Sequence, residues 1–400
     1  MDTNEIPIIS ENSFFQFTFF VLAGLIFIGI QPILDKINSQ SFLIFMLFLF
    51  LIMGLCLVYC SSTSLRQSDP KNCLEIAQHL NTGDYSDFKK ENYLGWYPYQ
   101  IYWITYLRPL VVVTNNIKFL YVLNLAYECI IFVTFYKITA LFTSKNAILN
   151  NVSLLSMLFL PNLFNILFIY GNIPGYMFFL LSVYFLIKVL QGEKRIFLMA
   201  VTLIMAYFIK NNYLIGIIAL FITVLLSNLI IKKILIFFEV IGLIFIISNC
   251  ITLFYSKVQQ RYFSVNGGVP KVAFVVMGLQ NYMDLKNSWY DGYTLSTYKQ
   301  HNYSEKETEK QAQKDLKREI DRLKSSRSNM VGFFKRKLIS TWSDSTFQSL
   351  WIAPWENKAN KKLKYIYNDN KESTIRIISN LTTQLILFCG GISCLRKNKK

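Results

Sequence analysis

The chain predicts an all-α polytopic membrane protein, a bundle of about nine transmembrane helices with two large extracytoplasmic loops that contain amphipathic helices. Three observations predict it. Apolar runs recur along the sequence, most of them near the ~18 residues needed to cross a bilayer as a helix. Hydrophobic residues make up 53% of the chain and charged ones only 16%, where a soluble domain carries about 25%. Lys and Arg occupy every second break between the apolar runs, the pattern of short basic loops held in the cytoplasm.

The spans fall at 13–34, 41–61, 118–142, 147–170, 174–191, 196–210, 213–231, 234–255 and 374–395. Basic residues sit at Lys36, Lys145, Lys194 with Arg195, Lys232 with Lys233, and in the tail from Arg396, which places those breaks inside. The amino end carries Asp2, Glu5 and Glu11 without a base, and is read as outside. The first apolar run lacks a basic leader, so it reads as a span rather than a cleaved signal. Three regions follow: a bundle over 1–255 that includes a first outer loop at 62–117, an outer loop region at 256–373, and a last span with a basic cytoplasmic tail at 374–400.

The formal charge of +17 does not point to nucleic acid, because the cations divide between cytosolic anchors and the last loop, with no nucleic-acid-binding motif. Membrane lipids, or an anionic lipid-linked or polymeric substrate, suit it better. Seven cysteines are scattered, six of them in or beside apolar runs, and no spacing suggests a metal site. Cys60 and Cys73 could meet on the outer side, but a free, partly buried thiol is expected of each.

In the first outer loop, Asp69 precedes Pro70, and Leu74, Ile76, Ala77 and Leu80 recur at helical spacing before the turn at Asn81 to Asp84. Two roles compete for Asp69. It is an N-cap carboxylate, contributing about 0.5–2 kcal/mol, or a general base that takes a proton from an attacking hydroxyl. Asp84 and Asp87 read as turn residues. The aromatic cluster Tyr93, Trp96, Tyr97 and Tyr99 leads into an apolar run at 101–113 that is too short to span and contains Arg108 and Pro109. That run is expected to lie along the outer interface.

In the second loop, Ser304 and Glu307 form a capping box, and Ala312, Leu316, Ile320 and Leu323 a narrow apolar stripe. The many charges of this helix read as a solvated face. From 330 to 342, Val331, Phe334, Leu338 and Trp342 set against Lys335, Arg336 and Lys337 predict a basic amphipathic helix on the membrane surface. Within the spans, Glu128 is the one charge near a midplane, either paired with Arg108 or Lys210 or simply protonated. Glu239 reads as an interface residue. Lys210, at the outer end of the sixth span, is either an anchor or a point charge for a lipid phosphate.

An acid opening the first outer loop, then GDY at 83–85, YLGWYPYQ at 93–100, YGNIPG at 170–175, KNNYLI at 210–215 and GGVPKVAFVVMGLQ at 267–280 together resemble multispanning bacterial glycosyltransferases of the GT-C superfamily. That family is related to protein O-mannosyltransferases and uses polyprenyl-phosphate-linked sugars. The resemblance covers about 69–342 and rests on the order of motifs. It implies that Asp69 is the catalytic base of an inverting transfer, that Lys210 holds the donor phosphate, and that Tyr97, Gln100 and the residues near Gly278 help form the sugar and acceptor cleft. Arg108 and Asn211 join the expected substrate-binding set from their outer position. The expected partners are a polyprenyl-phosphate sugar donor and a cell-wall polymer, lipid or protein acceptor, at a bacterial plasma membrane. No cofactor is implied, and no ligand cluster supports a divalent metal. The chain departs from the pattern at Asn172, where an acid is expected.

Overall fold

The computed structural model describes residues 13–61, 65, 68–226, 231–263, 267–280, 290–343 and 370–395. The acidic amino end, Trp289 and the tail from Arg396 lie outside the described residues, as do the side chains of Lys232, Lys233, Cys389 and Cys394. The described residues are helical and include no strand. In lipid a helix satisfies every backbone group within its own segment, so long apolar runs fold this way.

The first helices, α1 (Ser13–Lys36) and α2 (Ser39–Cys60), are followed by α3 (Asp69–Thr82), a short α4 (Tyr93–Trp96) and α5 (Ile101–Val113). The bundle continues with α6 (Ile117–Ala140), α7 (Asn146–Leu158), α8 (Leu160–Asn165), α9 (Asn172–Leu190), α10 (Ile196–Ile209), α11 (Leu214–Leu226) and α12 (Ile231–Tyr262). A second group comprises α13 (Lys271–Leu279), α14 (Tyr293–Gln300), α15 (Glu305–Lys324) and α16 (Arg327–Ser343), before the last helix α17 (Asn370–Leu395).

Among the described residues, five segments are long and apolar enough to cross a membrane: Phe17–Lys36, Ser39–Cys60, Ile117–Ala140, Asn172–Leu190 and Phe238–Tyr262. That is the character of a helical membrane protein. Phe14, Ile28, Ile215, Leu226 and Phe245 are each more than half exposed, forming an apolar surface too extensive for water. α10 and α11 are apolar but shorter.

The run 147–170 does not form one helix. α7 ends and α8 begins around Phe159, because Pro161 has no N–H to donate and its ring collides with the carbonyl four residues back. α12 extends well past residue 255, so the second loop begins later than its hydropathy suggests. The run 101–113 forms one helix with a buried face. Ile104 and Leu107 of α5 are fully buried, and each such side chain contributes about 1.5–3 kcal/mol. α5 packs along α3, so its apolar face is spent inside the protein, with Val112 and Val113 left exposed at its end.

Polar bonds define the two ends of the bundle. At one end, Asn150 Nδ2 donates to the carbonyls of Leu34 at 2.7 Å and Ile37 at 2.9 Å, and Ser39 Oγ and Tyr136 OH share a 2.9 Å hydrogen bond. At the other end, Lys118 Nζ donates to the carbonyl of Tyr59 at 2.9 Å. α3 lies beyond this second end.

α15 starts as its capping box requires, with Ser304 Oγ accepting from the Glu307 N–H. Ala312 and Leu323 are buried. Its charges are not all solvated: Asp315 and Glu319 are also buried, held by Tyr293 OH at 2.7 Å and Arg322 Nε at 2.7 Å respectively. Val269, Ala273, Val276, Tyr298 and Ala312 form a separate small core, against which Trp96 and Tyr97 pack.

Candidate functional site

The N-cap position of α3 falls on Ser68, and Asp69 stands in the first helical turn beside Pro70. The simple capping role for Asp69 is thereby displaced by one residue. Its Oδ2 instead accepts a 2.8 Å hydrogen bond from Tyr170 OH, and the carboxylate remains exposed. The helix amino end favours this negative charge.

Tyr170 is the hub of the arrangement. Its hydroxyl accepts from Gln100 Nε2 while donating to Asp69. Lys210 Nζ lies 3.6 Å from the Tyr170 ring centroid and donates to the Tyr170 carbonyl at 3.4 Å. An ammonium over an aromatic face is held by the ring quadrupole. With one hydrogen-bond acceptor among the described residues, Lys210 keeps donor capacity for an anion.

The chain reaches this geometry through glycine at 171. Gly171 has φ +76°, and a Cβ there would lie 2.9 Å from the Ile209 carbonyl oxygen and 3.1 Å from Trp103 Cε3. Only glycine allows the turn before α9 to press against the end of α10. Tyr213 OH completes the junction by donating to the Asn172 carbonyl at 3.0 Å. Asn172, where an acid was expected, lines the cavity beside Tyr170, Lys210 and Asn211.

That cavity measures 480 Å³, and Tyr99, Gln100, Trp103 and Phe208 supply further wall. Asp69 is joined to it through the Tyr170 hydroxyl. Behind it, Tyr97 packs between Trp96, Tyr99 and Phe274. Gly268 docks the second loop here: its φ is +82°, a Cβ would lie 2.7 Å from the Trp96 carbonyl oxygen, and Val269 N donates to that carbonyl at 2.9 Å. Burial pushes the Tyr97 and Tyr99 hydroxyls far above the usual tyrosine range, so both remain protonated donors. Burial, then the Asp69 charge, does the same to the Cys73 thiol one turn along α3. Cys73 is an inert thiol whose Sγ lies 3.8 Å from Tyr93 OH, and it forms no disulfide with Cys60.

Of the expected site residues, Gln100, Lys210 and Asn211 therefore line one aromatic cavity, Asp69 is linked to it through Tyr170, and Tyr97 packs behind its wall at Tyr99. It does not bring Arg108 or Gly278 there. Arg108 donates to Asn81 Oδ1 at 2.9 Å, Tyr255 OH at 3.1 Å and the Leu80 carbonyl at 3.2 Å, at the far end of α3 and about 18 Å along the helix from Asp69. Its guanidinium closes the carboxyl end of α3. Gly278 gives its carbonyl to Lys337 Nζ at 2.7 Å, and the residue of that segment reaching the aromatic wall is Phe274, one turn earlier.

Asp84 and Asp87 are structural. Asp84 Oδ1 accepts from the Ser86 N–H at 2.8 Å, which holds its carboxyl below the ordinary range. Asp87 takes a 2.8 Å contact from His79 Nδ1. Glu128 is buried in α6 and, among the described residues, meets neither Arg108 nor Lys210. No group of three His, Cys, Asp or Glu side chains gathers into a metal-binding cluster among the described residues.

Tyr170, the partner of both charges, is not among the site residues the sequence brings forward. Its signal was local: a tyrosine directly before a glycine turn, at the end of an apolar run. Compared with known proteins, the chain matches no family model, no curated protein and no solved structure.

Proposed function

We propose that the protein is a membrane glycosyltransferase that moves a sugar from a polyprenyl-phosphate-linked donor to a hydroxyl of a cell-envelope polymer, lipid or protein. The observation that carries this reading is the exposed Asp69 carboxylate, held by Tyr170 OH at 2.8 Å, with the Lys210 ammonium 3.6 Å from the same ring. Asp69 takes the proton of the acceptor hydroxyl as its oxygen attacks the anomeric carbon. The bond from that carbon to the phosphate oxygen breaks, and the lipid phosphate leaves as an anion, so no general acid is needed. Lys210 stabilises the developing phosphate charge, and Tyr99, exposed on the cavity wall, offers a protonated hydroxyl and a ring face to the sugar.

In this reading the chain crosses a bacterial plasma membrane about nine times, amino end outside and carboxyl end in the cytoplasm, with both large loops extracytoplasmic. Supporting it, Lys36, Lys188 and Arg195 mark helix ends opposite the Asp69 end, as inward basic loops require.

A transporter or flippase of lipid-linked saccharides is the second reading. Glu128 favours it: buried in the long apolar α6, it has no hydrogen bond or ion pair among the described residues, and an intramembrane acid of that kind marks a substrate or proton path by default. The discriminating experiment is Asp69→Asn in purified protein, followed by sugar transfer from polyprenyl-phosphate donors. The expected loss is about 10²- to 10⁴-fold. Full retained transfer overturns the base assignment, and no transfer by the unmodified protein from any such donor favours the transporter.

A further inference from the structure

A larger cavity, 660 Å³, opens between α6, α9 and the start of α10. Asn172 opens α9 at the Asp69 cavity and Lys188 lies in its last turn, about 24 Å further along the helix axis. The Lys188 mouth of this cavity is thus most of a hydrocarbon thickness from the Asp69 cavity, and it sits at the opposite membrane boundary.

Its rim is cationic. Lys137, Lys188 and Arg195 line it against a single carboxylate, Glu193. Glu193 pairs with Lys188 at 2.6 Å and with Arg195 at 3.6 Å. Lys137, in the last turn of α6, forms no ion pair among the described residues, so the rim keeps net positive charge. The start of α10 adds to it. No side chain caps this helix, which leaves its first N–H groups unspent and its positive dipole end pointing at the rim. Tyr184 also lines the cavity, and its hydroxyl has no hydrogen-bond partner among the described residues.

Below the rim the wall is apolar. Ile130, Leu181, Phe185 and Leu198 continue the cavity into the bundle, and Phe197 beside them is exposed. A cationic mouth over an apolar slot, at the level where lipid headgroups lie, has the chemistry of an anionic lipid site. A free phosphate would use the mouth and leave the slot empty.

We propose that this cavity binds an anionic phospholipid of the leaflet opposite Asp69, its phosphate held by Lys137, Arg195 and the amino end of α10, and an acyl chain laid against Leu181, Phe185 and Leu198. The site is independent of the chemistry at Asp69. Glu193 tunes it by competing with the lipid for Lys188 and Arg195.

The test is native mass spectrometry of the full chain released from nanodiscs of phosphatidylcholine, with or without phosphatidylglycerol, counting retained lipid. Preferential retention of phosphatidylglycerol is expected. Lys137→Gln or Arg195→Gln should weaken it about fivefold each, and Glu193→Gln should strengthen it, a change of opposite sign that misfolding does not produce. Equal retention of the two lipids, or indifference to all three substitutions, overturns the proposal. So does displacement of the retained lipid by inorganic phosphate while an equal concentration of sodium chloride leaves it bound, which assigns the mouth to a soluble anion.

Discussion

The two ends of the bundle hold charge by different means. At the Asp69 end, the acid, the amide, the hydroxyl and the ammonium come from four separate places in the chain: the start of α3, the turn before α5, the turn before α9 and the end of α10. At the opposite end, Lys188 in the last turn of α9 pairs with Glu193, and Glu193 with Arg195, in the short loop that follows. Charges set by long-range packing cannot rearrange without moving helices, which is the preorganisation a reacting centre needs. Charges set by a loop exchange partners cheaply, which suits a site that admits and releases a lipid.

The comparison breaks most visibly at Lys210. Replacing it with Met removes the cation over Tyr170 while keeping most of its volume, and transfer from a polyprenyl-phosphate donor should fall about a hundredfold, measured as initial rate at saturating acceptor. An unchanged rate would reduce Lys210 to an anchor like those at the other end.

A smaller effect sharpens the role of packing. Gly171→Ala puts a Cβ at φ +76° and 2.9 Å from the Ile209 carbonyl oxygen, costing about 1–3 kcal/mol. A lower thermal midpoint in detergent is expected, together with loss of activity. Gly192, at φ +95° in the loop of the opposite end, has nothing within reach of an added Cβ, so Gly192→Ala should cost the backbone term alone.

The smallest expected effect is a pH dependence at the Asp69 end. The hydrogen bond to Asp87 raises the His79 pKa above its ordinary 6.5, and a group whose folded pKa is raised stabilises in its protonated form. Its contribution is fully present below the unfolded pKa and is lost as pH rises through the folded one. The thermal midpoint difference between the unmodified protein and Asp87→Asn should therefore shrink from pH ~6 to ~8. The change is modest because His79 is exposed and solvent screens its charge.

Composition and periodicity determined the helical class, the apolar segments, the presence of α3 to within two or three residues at its ends, and the capping box of α15. These are local properties, written in the spacing of apolar residues and the chemistry of caps. Sequence order also brought forward Asp69 and Lys210, since both stand where an apolar or amphipathic helix meets polar chain. Only the tertiary structure decided the rest. It turned α5 inward, because α3 covered the face that hydropathy assigned to the interface. It spent Arg108 on the carboxyl end of α3, where Asn81 Oδ1, the Leu80 carbonyl and Tyr255 OH meet its guanidinium. It made Tyr170 the bridge between acid and cation, a role fixed by where two helix ends meet around Gly171. Hydropathy measures what leaves water, and it is silent on which neighbour a side chain finds once there.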